Sequence, residues 1–332
     1  MSSLQSALDS AAARTRFSGV VRVDRAGTPD VLTAYGQADR AHGIAMEVTH
    51  QLGSASVTKG FTASTILSIV ADGALELTTS ARSVLGSLLP LVDDTVTIEH
   101  LLSHRSGIAD YFDESATGSD DYPMTVPVHR LATTEDYVPM LDGCAQVSAP
   151  GSVFEYNSAG FVILALIAER VTQVPFHDLV AQRVWAPAGM PNSAFLRSDA
   201  LPGSAAIGYL SDEGLRANML HLPVRGSGDG GAYTTVADMS AFWAALLGGR
   251  IVPERWVAQM QVPRRPPADP RLGYGLGLWL HEGGALELHG YDVGVSFRSV
   301  HDPTTGSTWT VGSTTNDGSL AMEEVLEAPP PR

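Results

Sequence analysis

The spacing of apolar residues divides the chain into three stretches. Residues 3–14 have the periodicity of an amphipathic helix, and alternating runs at 17–24 and 31–36 predict a hairpin around the turn 25–30. From about residue 56 to 262 the apolar positions recur with helical spacing instead. Strand signals then return at 273–280, 285–289, 293–300 and 307–312, and a short helix is predicted at about 319–327.

Four segments of the middle stretch have the length and periodicity of helices, namely 57–72, 159–172, 176–185 and 235–248. Gly73 ends the first helix and Pro175 follows the second, as expected of helix ends. Strands at both ends of the chain predict one antiparallel sheet flanked by terminal helices, with a large helical insertion between them. The fold class is therefore α/β in the α+β sense, with residues 1–50 and 270–332 as a sheet domain and 51–269 as a mainly helical domain.

Composition and charge narrow the possible functions. Of the 332 residues, 44% are hydrophobic and 17% are charged, which supplies enough apolar material for a sizeable core. The formal net charge is -15, from 36 acidic and 21 basic residues, and no cluster of lysine or arginine stands out. Because an anionic surface repels phosphate backbones, we expect no binding to nucleic acid.

Cysteine content and the start of the chain bear on its environment. Cys144 is the only cysteine, which excludes an intramolecular disulfide and predicts a small buried filler. The first ten residues lack the basic and apolar regions of a secretory signal. No run reaches the roughly 20 apolar residues that span a bilayer. We therefore expect a cytoplasmic protein without a membrane segment.

The segment around Ser56 carries the strongest candidate chemistry. Ser56 and Lys59 are three residues apart at the start of the helix 57–72, so their side chains share one helix face. A serine hydroxyl is a weak nucleophile at neutral pH and needs a neighbouring base. A free lysine is cationic at pH 7, so its amine accepts a proton only where the surroundings favour the neutral form. The same spacing also occurs by chance on solvated helices, so the pair gains weight only from its partners.

Tyr156 is the first candidate partner, because it lies where a turn leads into the helix 159–172. Backbone N–H groups at a helix start favour negative charge, and a phenol near a cation such as Lys59 can move protons. Ser158 is placed to form a hydrogen bond within the same site. The alternative interpretation is an ordinary helix start at which Asn157 or Ser158 is the cap.

Gly290 is the second candidate partner. It follows His289 between two predicted strands, where a glycine would let a substrate approach the strand closely. A backbone N–H at such an edge can point at a developing oxyanion. The alternative is a glycine-containing strand turn without a role in chemistry.

These spaced elements together resemble the serine β-lactamase and penicillin-binding-protein superfamily, in particular its class C β-lactamase-like branch. That branch includes D-aminopeptidases, family VIII carboxylesterases and acyltransferases. The resemblance covers nearly the whole chain and extends to segments 101–108, 150–156, 230–238 and 274–279. It implies a β-lactamase/transpeptidase-like fold with the active site in the cleft between the sheet domain and the helical domain.

The resemblance also implies roles for individual residues. Ser56 matches the acylated nucleophile, Lys59 the proton-accepting partner, and Tyr156 the second base or acid. The expected oxyanion donors are the backbone N–H groups of Ser56 and Tyr291. Substrate-binding positions correspond to the four residues Asn157, Ser158, His289 and Gly290. No metal and no cofactor is implied.

Two motifs depart from the family pattern. The second motif is usually Tyr-x-Asn, but here a hydroxyl at Ser158 replaces the amide unless Asn157 compensates. The third motif usually begins with a cation, and its register places Leu288 there and His289 in the middle, although His289 in another register or Arg298 on the next strand would restore a cation. A leucine cannot form a charge-assisted hydrogen bond with a substrate carboxylate. Its presence weakens the binding of such a substrate by roughly 1.5–3 kcal/mol.

The expected function is therefore that of a serine hydrolase acting through an acyl-enzyme, most simply a carboxylesterase on neutral or amine-bearing esters. The acidic stretch 110–122 would further oppose an anionic substrate. Alternatives on the same site are a β-lactamase, a D-aminopeptidase or amidase, and an acyltransferase, and a further alternative is a non-catalytic binding protein. The expected partner is a small acyl compound, and oligomeric state is not predicted.

Two rival kinds of site receive less support from the sequence. His100 and His104 have the spacing of helical metal ligands, but no glutamate follows the first and no third ligand is evident. The glycine runs at 226–231 and 273–277 lack both a βαβ context and a phosphate-binding lysine. We expect a turn-shaping role for His104 and loop or strand positions for the glycines.

Overall fold

The computed structural model describes residues 3–111, 124–264 and 272–328, and most of the acidic stretch 110–122 therefore lies outside the described residues. The strands are β1 (Gly19–Arg25), β2 (Thr28–Tyr35), β3 (Gln37–Asp39), β4 (Ile44–Ala45), β5 (Leu52–Gly53), β6 (Tyr233–Thr234), β7 (Leu272–Tyr274), β8 (Trp279–His281), β9 (Leu286–Asp292), β10 (Val295–Asp302) and β11 (Ser307–Ser313). The α-helices are α1 (Ser3–Thr15), α2 (Thr58–Ala71), α3 (Ala81–Leu85), α4 (Ile98–Leu102), α5 (Val138–Leu141), α6 (Ser158–Thr172), α7 (Phe176–Val180), α8 (Ala186–Ala188), α9 (Val236–Leu247), α10 (Glu254–Met260) and α11 (Leu320–Glu327). Short 3-10 helices cover Ala55–Val57, Val128–Arg130, Thr134–Tyr137 and Asn218–Leu220, and a π-helical segment, Ala181–Trp185, joins α7 to α8.

One antiparallel sheet is built from both ends of the chain, in the order β2-β1-β11-β10-β9-β8-β7. The α1 and α11 helices pack against each other and against one face of this sheet. The predicted fold class is confirmed, because the central stretch supplies the helices α2 to α10. The division into a sheet domain and a helical domain stays a prediction.

Two details of the predicted strands were wrong. The first hairpin turns more tightly than expected, because β2 begins at Thr28 and includes Pro29. Proline lacks a ladder N–H, but β2 is the edge strand and one of its sides needs no donor. The predicted strand 273–280 is a hairpin of β7 and β8, with Gly277 at φ +77° in the connection.

Apolar residues cover both faces of the sheet. On β1, Val20 belongs to the larger core beneath the helical stretch, whereas Val21 and Val23 pack with Leu8 of α1 and Met322 of α11. Successive side chains of a strand point to opposite faces, so a strand covered on both sides is apolar at neighbouring positions. This alternation also determines which residues of β9 face the helices.

The helices α2 and α6 form the centre of the larger core. Both are buried around almost their whole circumference, which is typical of a central helix rather than an amphipathic surface helix. Phe61 of α2 packs edge-on against Phe242 of α9, with 5.2 Å between ring centroids.

Cys144 is buried as predicted, and burial raises the pKa of its thiol to about 11.

Within the described residues, no single helix has both the length and the apolar content to cross a bilayer. One pair, α6 with the helical stretch Phe176–Ala188, meets the length and composition criteria together, but it is bent by 85°.

Candidate active site

Ser56 lies on a strained turn immediately before α2. The preceding residue, Ala55, has φ +42°, a backbone conformation that residues other than glycine rarely adopt. Such strain persists only where the surroundings hold it in place. Here the Thr58 hydroxyl donates to the Ala55 carbonyl at 2.8 Å and accepts from the Ala232 N–H at 3.1 Å, while the Ser54 N–H donates to the Ala232 carbonyl. The turn that presents Ser56 is therefore fixed from two sides.

Lys59 is 2% exposed and contacts Ser56, as the sequence predicts. Its Nζ lies 2.9 Å from Ser56 Oγ, 3.3 Å from Ser158 Oγ and 2.7 Å from the carbonyl oxygen of Asp229. An ammonium group can donate to all three oxygens. A neutral amine can donate to the Asp229 and Ser158 oxygens and accept from the Ser56 hydroxyl. The three partners therefore satisfy the nitrogen both before and after it takes a proton.

Tyr156 stands over the same lysine. Lys59 Nζ lies 5.0 Å from the centroid of the Tyr156 ring, and the ring borders the pocket that contains Ser56. Two other rings pack against it: His104 with a centroid distance of 4.3 Å, and Trp279 at 5.9 Å with nearly parallel planes. The structure thus brings the three predicted catalytic side chains together at one end of α2.

His104 shapes this end of the site, as expected, and both of its ring nitrogens have partners. Its backbone has φ +56°, Nδ1 accepts from the Asn157 N–H at 3.0 Å, and Nε2 lies 3.1 Å from the Tyr274 hydroxyl. Because Nδ1 accepts, the hydrogen-bond pattern assigns the ring proton to Nε2. Burial, and then the nearby Lys59 amine, hold the pKa of His104 well below its ordinary value. A neutral imidazole therefore supports the Tyr156 ring.

Asn157 and Ser158 divide the roles that the sequence left open. The Asn157 side chain accepts from the Gly160 N–H at 2.6 Å and donates to the Ile108 carbonyl at 2.9 Å, so Asn157 caps α6. It is buried and does not border the pocket. Ser158 does border the pocket and contacts Lys59, so the hydroxyl is the group that the second motif presents there.

Asp110 is a neighbour that sequence reasoning did not single out. Its carboxylate accepts from the backbone N–H groups of Ser158 at 2.6 Å and Ala159 at 3.0 Å, at the start of α6. Burial raises the pKa of this carboxyl, while the two N–H donors and Lys59 act in the opposite direction. No local sequence signal indicated this contact, because Asp110 lies 48 positions before Ser158, although the helix dipole favours an acid at this place in the fold.

Strand β9 passes the nucleophile turn with Leu288 and Gly290 on the side of α2. A Cβ atom at Gly290 would lie 2.4 Å from Ser56 N, so glycine is required here by the protein backbone itself. Leu288 is buried in the core against Gly60 of α2 and does not border the pocket. The predicted substrate contact of Gly290 and the oxyanion role of the Tyr291 N–H stay predictions.

His289 points to the other face of β9, where its Nδ1 forms a short hydrogen bond with the Glu287 carboxylate. It is not among the residues that border the pocket, whereas Tyr291 is. Arg298 is no substitute for the missing cation either. Its guanidinium is held by Glu287 and Glu323, with nitrogen–oxygen distances of 2.7 and 3.0 Å.

The pocket around Ser56 is open, and its empty space of about 1090 Å³ includes part of the solvent at its mouth. Its apolar lining includes Met124, Leu196, Met219, Leu222, Val224, Val293 and Val295. Two aspartates, Asp229 and Asp292, also line it, and the Tyr111 hydroxyl donates a short hydrogen bond to the Asp229 carboxylate. No lysine or arginine is among the lining residues within the described parts of the chain. The charge of the lining is therefore negative.

The chain belongs to the β-lactamase family, whose model matches residues 4–326. The penicillin-binding protein of Bacillus halodurans has a solved structure that superposes with a TM-score of 0.89. It is 33% identical, with 96% of this chain and 99% of that chain covered. This likeness agrees with the fold class predicted from the sequence.

Curated proteins of the same family include a penicillin-binding protein and an aminopeptidase. Penicillin-binding protein 4 of Amycolatopsis lactamdurans is 33% identical over 187 residues, which make up 54% of this chain and 45% of that protein. The D-aminopeptidase of Brucella anthropi is 27% identical over 280 residues, 82% of this chain and 51% of that protein. The chain thus spans about half the length of these two relatives. The family and these relatives indicate a hydrolase.

Proposed function

We propose that this protein is a serine hydrolase that works through an acyl-enzyme, most simply a carboxylesterase for neutral or amine-bearing esters. The observation that carries the proposal is the 2.9 Å distance between Lys59 Nζ and Ser56 Oγ, in a site where the lysine is 2% exposed. A buried amine beside a serine hydroxyl supplies the base that the hydroxyl needs. Tyr156 is the third member of the unit.

In the acylation step, Ser56 Oγ attacks the carbonyl carbon of the ester and its proton passes to Lys59 Nζ. The negative charge that develops on the carbonyl oxygen is met by the backbone N–H groups of Ser56 and Tyr291. The bond to the leaving alkoxide then breaks, and Tyr156 supplies it with a proton that Lys59 replaces. The products of this half-reaction are the free alcohol and an acyl group bound to Ser56.

In the deacylation step, water takes the place of the alcohol. Tyr156 and Lys59 accept its proton as the water oxygen attacks the acyl carbon, and the proton then returns to Ser56 Oγ as the acid leaves. The two steps together consume one ester and one water and yield one acid and one alcohol. The three oxygen partners of Lys59 suit this cycle, because the nitrogen is satisfied in both of its protonation states.

The pocket lining supports an uncharged or cationic substrate. Asp229 and Asp292 place negative charge beside Ser56, and a substrate carboxylate there would meet like charge. Leu288 supplies no cation to the pocket, and Arg298 is paired by glutamates. The apolar part of the lining fits an acyl group of moderate size.

The second candidate function is that of an aminopeptidase or amidase for amine-bearing substrates. Two observations favour it: the carboxylates of Asp229 and Asp292, which could bind a substrate ammonium, and the 82% coverage of this chain by a relative named D-aminopeptidase. An amide has a poorer leaving group than an ester, so this reaction depends more strongly on proton donation to the leaving nitrogen. The same residues would serve both reactions.

The proposal is tested by acyl-enzyme mass spectrometry and a substrate panel. A fluorophosphonate probe should add one adduct at Ser56, and p-nitrophenyl acetate should be hydrolysed faster than nitrocefin. Ser56→Ala should lose about 1000-fold or more in kcat, as the loss of a nucleophile usually does. Ser64→Ala, on the same helix with its hydroxyl bound to the Gly60 carbonyl, is the matched control and should keep its activity.

The outcomes distinguish the candidates. Faster release of nitroaniline from D-alanine p-nitroanilide than of nitrophenol from the ester would favour the aminopeptidase. Nitrocefin turnover equal to ester turnover would refute the substrate assignment, and transfer of the acyl group to an added alcohol would indicate an acyltransferase. An adduct without turnover of any substrate would indicate a binding protein. No adduct at Ser56 would refute the whole proposal.

A further inference from the structure

Four rings form a row along the rim of the pocket. They are Tyr156, Trp279, His289 and Tyr291, and the successive centroid distances are 5.9, 5.2 and 5.6 Å. Trp279 is nearly parallel to both of its neighbours, with interplanar angles of 13° to Tyr156 and 15° to His289. Only the two end members, Tyr156 and Tyr291, border the pocket. The two middle rings therefore join the tyrosines without lining the site themselves.

Glu287 anchors this row. It is 1% exposed, yet its carboxylate accepts hydrogen bonds from the His289 ring, from His281 Nε2 at 2.6 Å and from Arg298 Nη2 at 2.7 Å. Burial would raise the pKa of the Glu287 carboxyl, but hydrogen bonds from these three side chains hold it well below its usual range. The group is thus a permanent anion with fixed donors, and it orients the His289 ring.

The opposite end of the row is held by the same network. Arg298 also donates to Glu323 of α11 at 3.0 Å, and Glu323 accepts from the Tyr291 hydroxyl at 2.9 Å. A single buried carboxylate, Glu287, therefore connects through different side chains to both tyrosines of the pocket rim. Arg298 Nε has no hydrogen-bond partner, but the other contacts of this buried network hold the local geometry in one arrangement.

The position of the Tyr156 ring matters because its hydroxyl is not otherwise held. Among the described residues, the Tyr156 hydroxyl has no hydrogen-bond partner, so the contacts of its ring with His104, Trp279 and Lys59 determine where it points. His104 lies against the ring on α4's side, and Trp279 supports it with a parallel plane. A displacement of about 1 Å in a proton-transferring group can cost up to about 100-fold in rate.

We infer that His289 is a positioning residue for Tyr156, which acts by supporting Trp279 while Glu287 fixes the imidazole. The inference rests on the proposed function, because Tyr156 must move protons for its position to affect the rate. It differs from the substrate contact expected from the sequence, since His289 does not border the pocket. A positioning residue changes kcat, whereas a residue that binds substrate equally throughout the reaction changes KM.

A double-mutant cycle tests this inference. We would measure kcat and KM for p-nitrophenyl acetate with the intact protein, His289→Ala, Tyr156→Phe and the double variant. His289→Ala should lower kcat by about tenfold and leave KM within about twofold. The double variant should have the same kcat as Tyr156→Phe, because the His289 ring acts only through the phenol.

A matched control and a second variant keep the test decisive. His301 also stacks on a tryptophan of the core, Trp243, with centroids 5.9 Å apart, but it lies far along β10 from the site. His301→Ala should leave kcat unchanged. If His289→Ala does not fold, Trp279→Leu in the same two backgrounds provides the same comparison, since it removes the parallel ring beside Tyr156.

Several results would overturn the inference while leaving the proposed function intact. These are an unchanged kcat in His289→Ala, an increase in KM alone, or an equal loss of kcat with and without the Tyr156 hydroxyl. In each case Ser56→Ala would still abolish turnover. If Ser56→Ala instead retained turnover, the proposed function itself would fail.

Discussion

The floor and the wall of the pocket are built in different ways. The floor, which we define as Ser54–Lys59 with Asp229 and Gly290, is held by backbone contacts, such as the 2.7 Å bond from Lys59 to the Asp229 carbonyl. The wall, which we define as the pocket-lining residues of the stretch 196–224, includes Met219, whose side chain is 42% exposed. We therefore expect substitutions in the floor to disturb the site, whereas substitutions in the wall replace one side chain without moving the backbone of the floor.

We expect the floor to determine the rate of the reaction and the wall to determine which substrates are accepted. Backbone positions change little when side chains are substituted, so a floor made of backbone contacts keeps the nucleophile and base in one geometry. Loop side chains vary easily and determine which acyl groups fit. We expect variants of the floor to lower kcat and variants of the wall to alter KM.

Gly290→Ala should cause the largest loss of activity. Without such a loss, the distinction between a floor held by backbone contacts and a wall of side chains would fail. A Cβ there would lie 2.4 Å from Ser56 N and 2.5 Å from the Ser54 carbonyl, and neither backbone atom can move without displacing the nucleophile. We expect kcat for p-nitrophenyl acetate to fall by about 100-fold or more. Gly283→Ala, in the β8–β9 connection with open space around it, is the control and should be close to neutral. Equal activities of the two variants would contradict the backbone-contact account.

His177 holds the loop that contributes Asp229 to the floor, and its titration can be measured. Its Nε2 donates to the carbonyl of Gly226, at the start of the loop that carries Asp229, with a distance of 2.8 Å. Burial lowers the pKa of His177 from 6.5 to about 4. The unfolded chain therefore takes up this proton at a higher pH than the folded protein does. The resulting stability is fully present above pH 6.5 and is lost as the pH falls through about 4.

The expected loss between pH 7 and pH 5 is about 2 kcal/mol in the free energy of unfolding. His177→Gln keeps a donor for the Gly226 carbonyl but does not titrate, so its stability should fall by about 2 kcal/mol less over the same interval. Urea unfolding at both pH values measures the difference. Parallel pH dependence of the two proteins would show that His177 is not the responsible group.

Met219→Ala should give the smallest effect and sharpens the description of the wall. The side chain borders the pocket and is about half exposed, so its truncation removes only part of a hydrophobic contact. For p-nitrophenyl butyrate we expect KM to rise by about two- to fivefold with kcat unchanged. Leu91→Ala, 51% exposed and outside the pocket lining, is the control. A fall in kcat for Met219→Ala would mean that the wall takes part in the chemistry.

Local patterns predicted the helices and the Ser56–Lys59 pair well. The i, i+3 spacing places both side chains on one helix face whatever the rest of the chain does, and the 2.9 Å distance agrees with it. Alternation also predicts the sheet, although it predicts one strand where β7 and β8 form a hairpin. Its turn depends on Gly277 in a positive-φ conformation, which the glycine-rich run did not distinguish from neighbouring glycines.

Residues that reach the site from distant parts of the chain were not predictable in the same way. Asp229 lies 170 positions from Lys59 and contacts it through its carbonyl oxygen, a group that every residue carries. The amide of Asn157 was considered for substrate binding, but the choice between capping and binding depends on the loop that supplies Ile108. The orientation of His289 was not predictable either. Strand alternation places it on the face of β9 opposite Leu288, but the sequence does not show that Leu288 packs on α2.

The pairing of the first strand with the last constrains how the chain matures on the ribosome. The Ser313 hydroxyl donates to the Ser18 carbonyl, a bond between residues 295 positions apart. Segments such as α2 and α6 emerge early and can collapse together during translation, but β9 and its neighbours emerge much later. A nascent chain would therefore carry Ser56 and Lys59 long before Gly290 packs against Ser56, and hydrolysis should begin only after β9 and its neighbours have been synthesised.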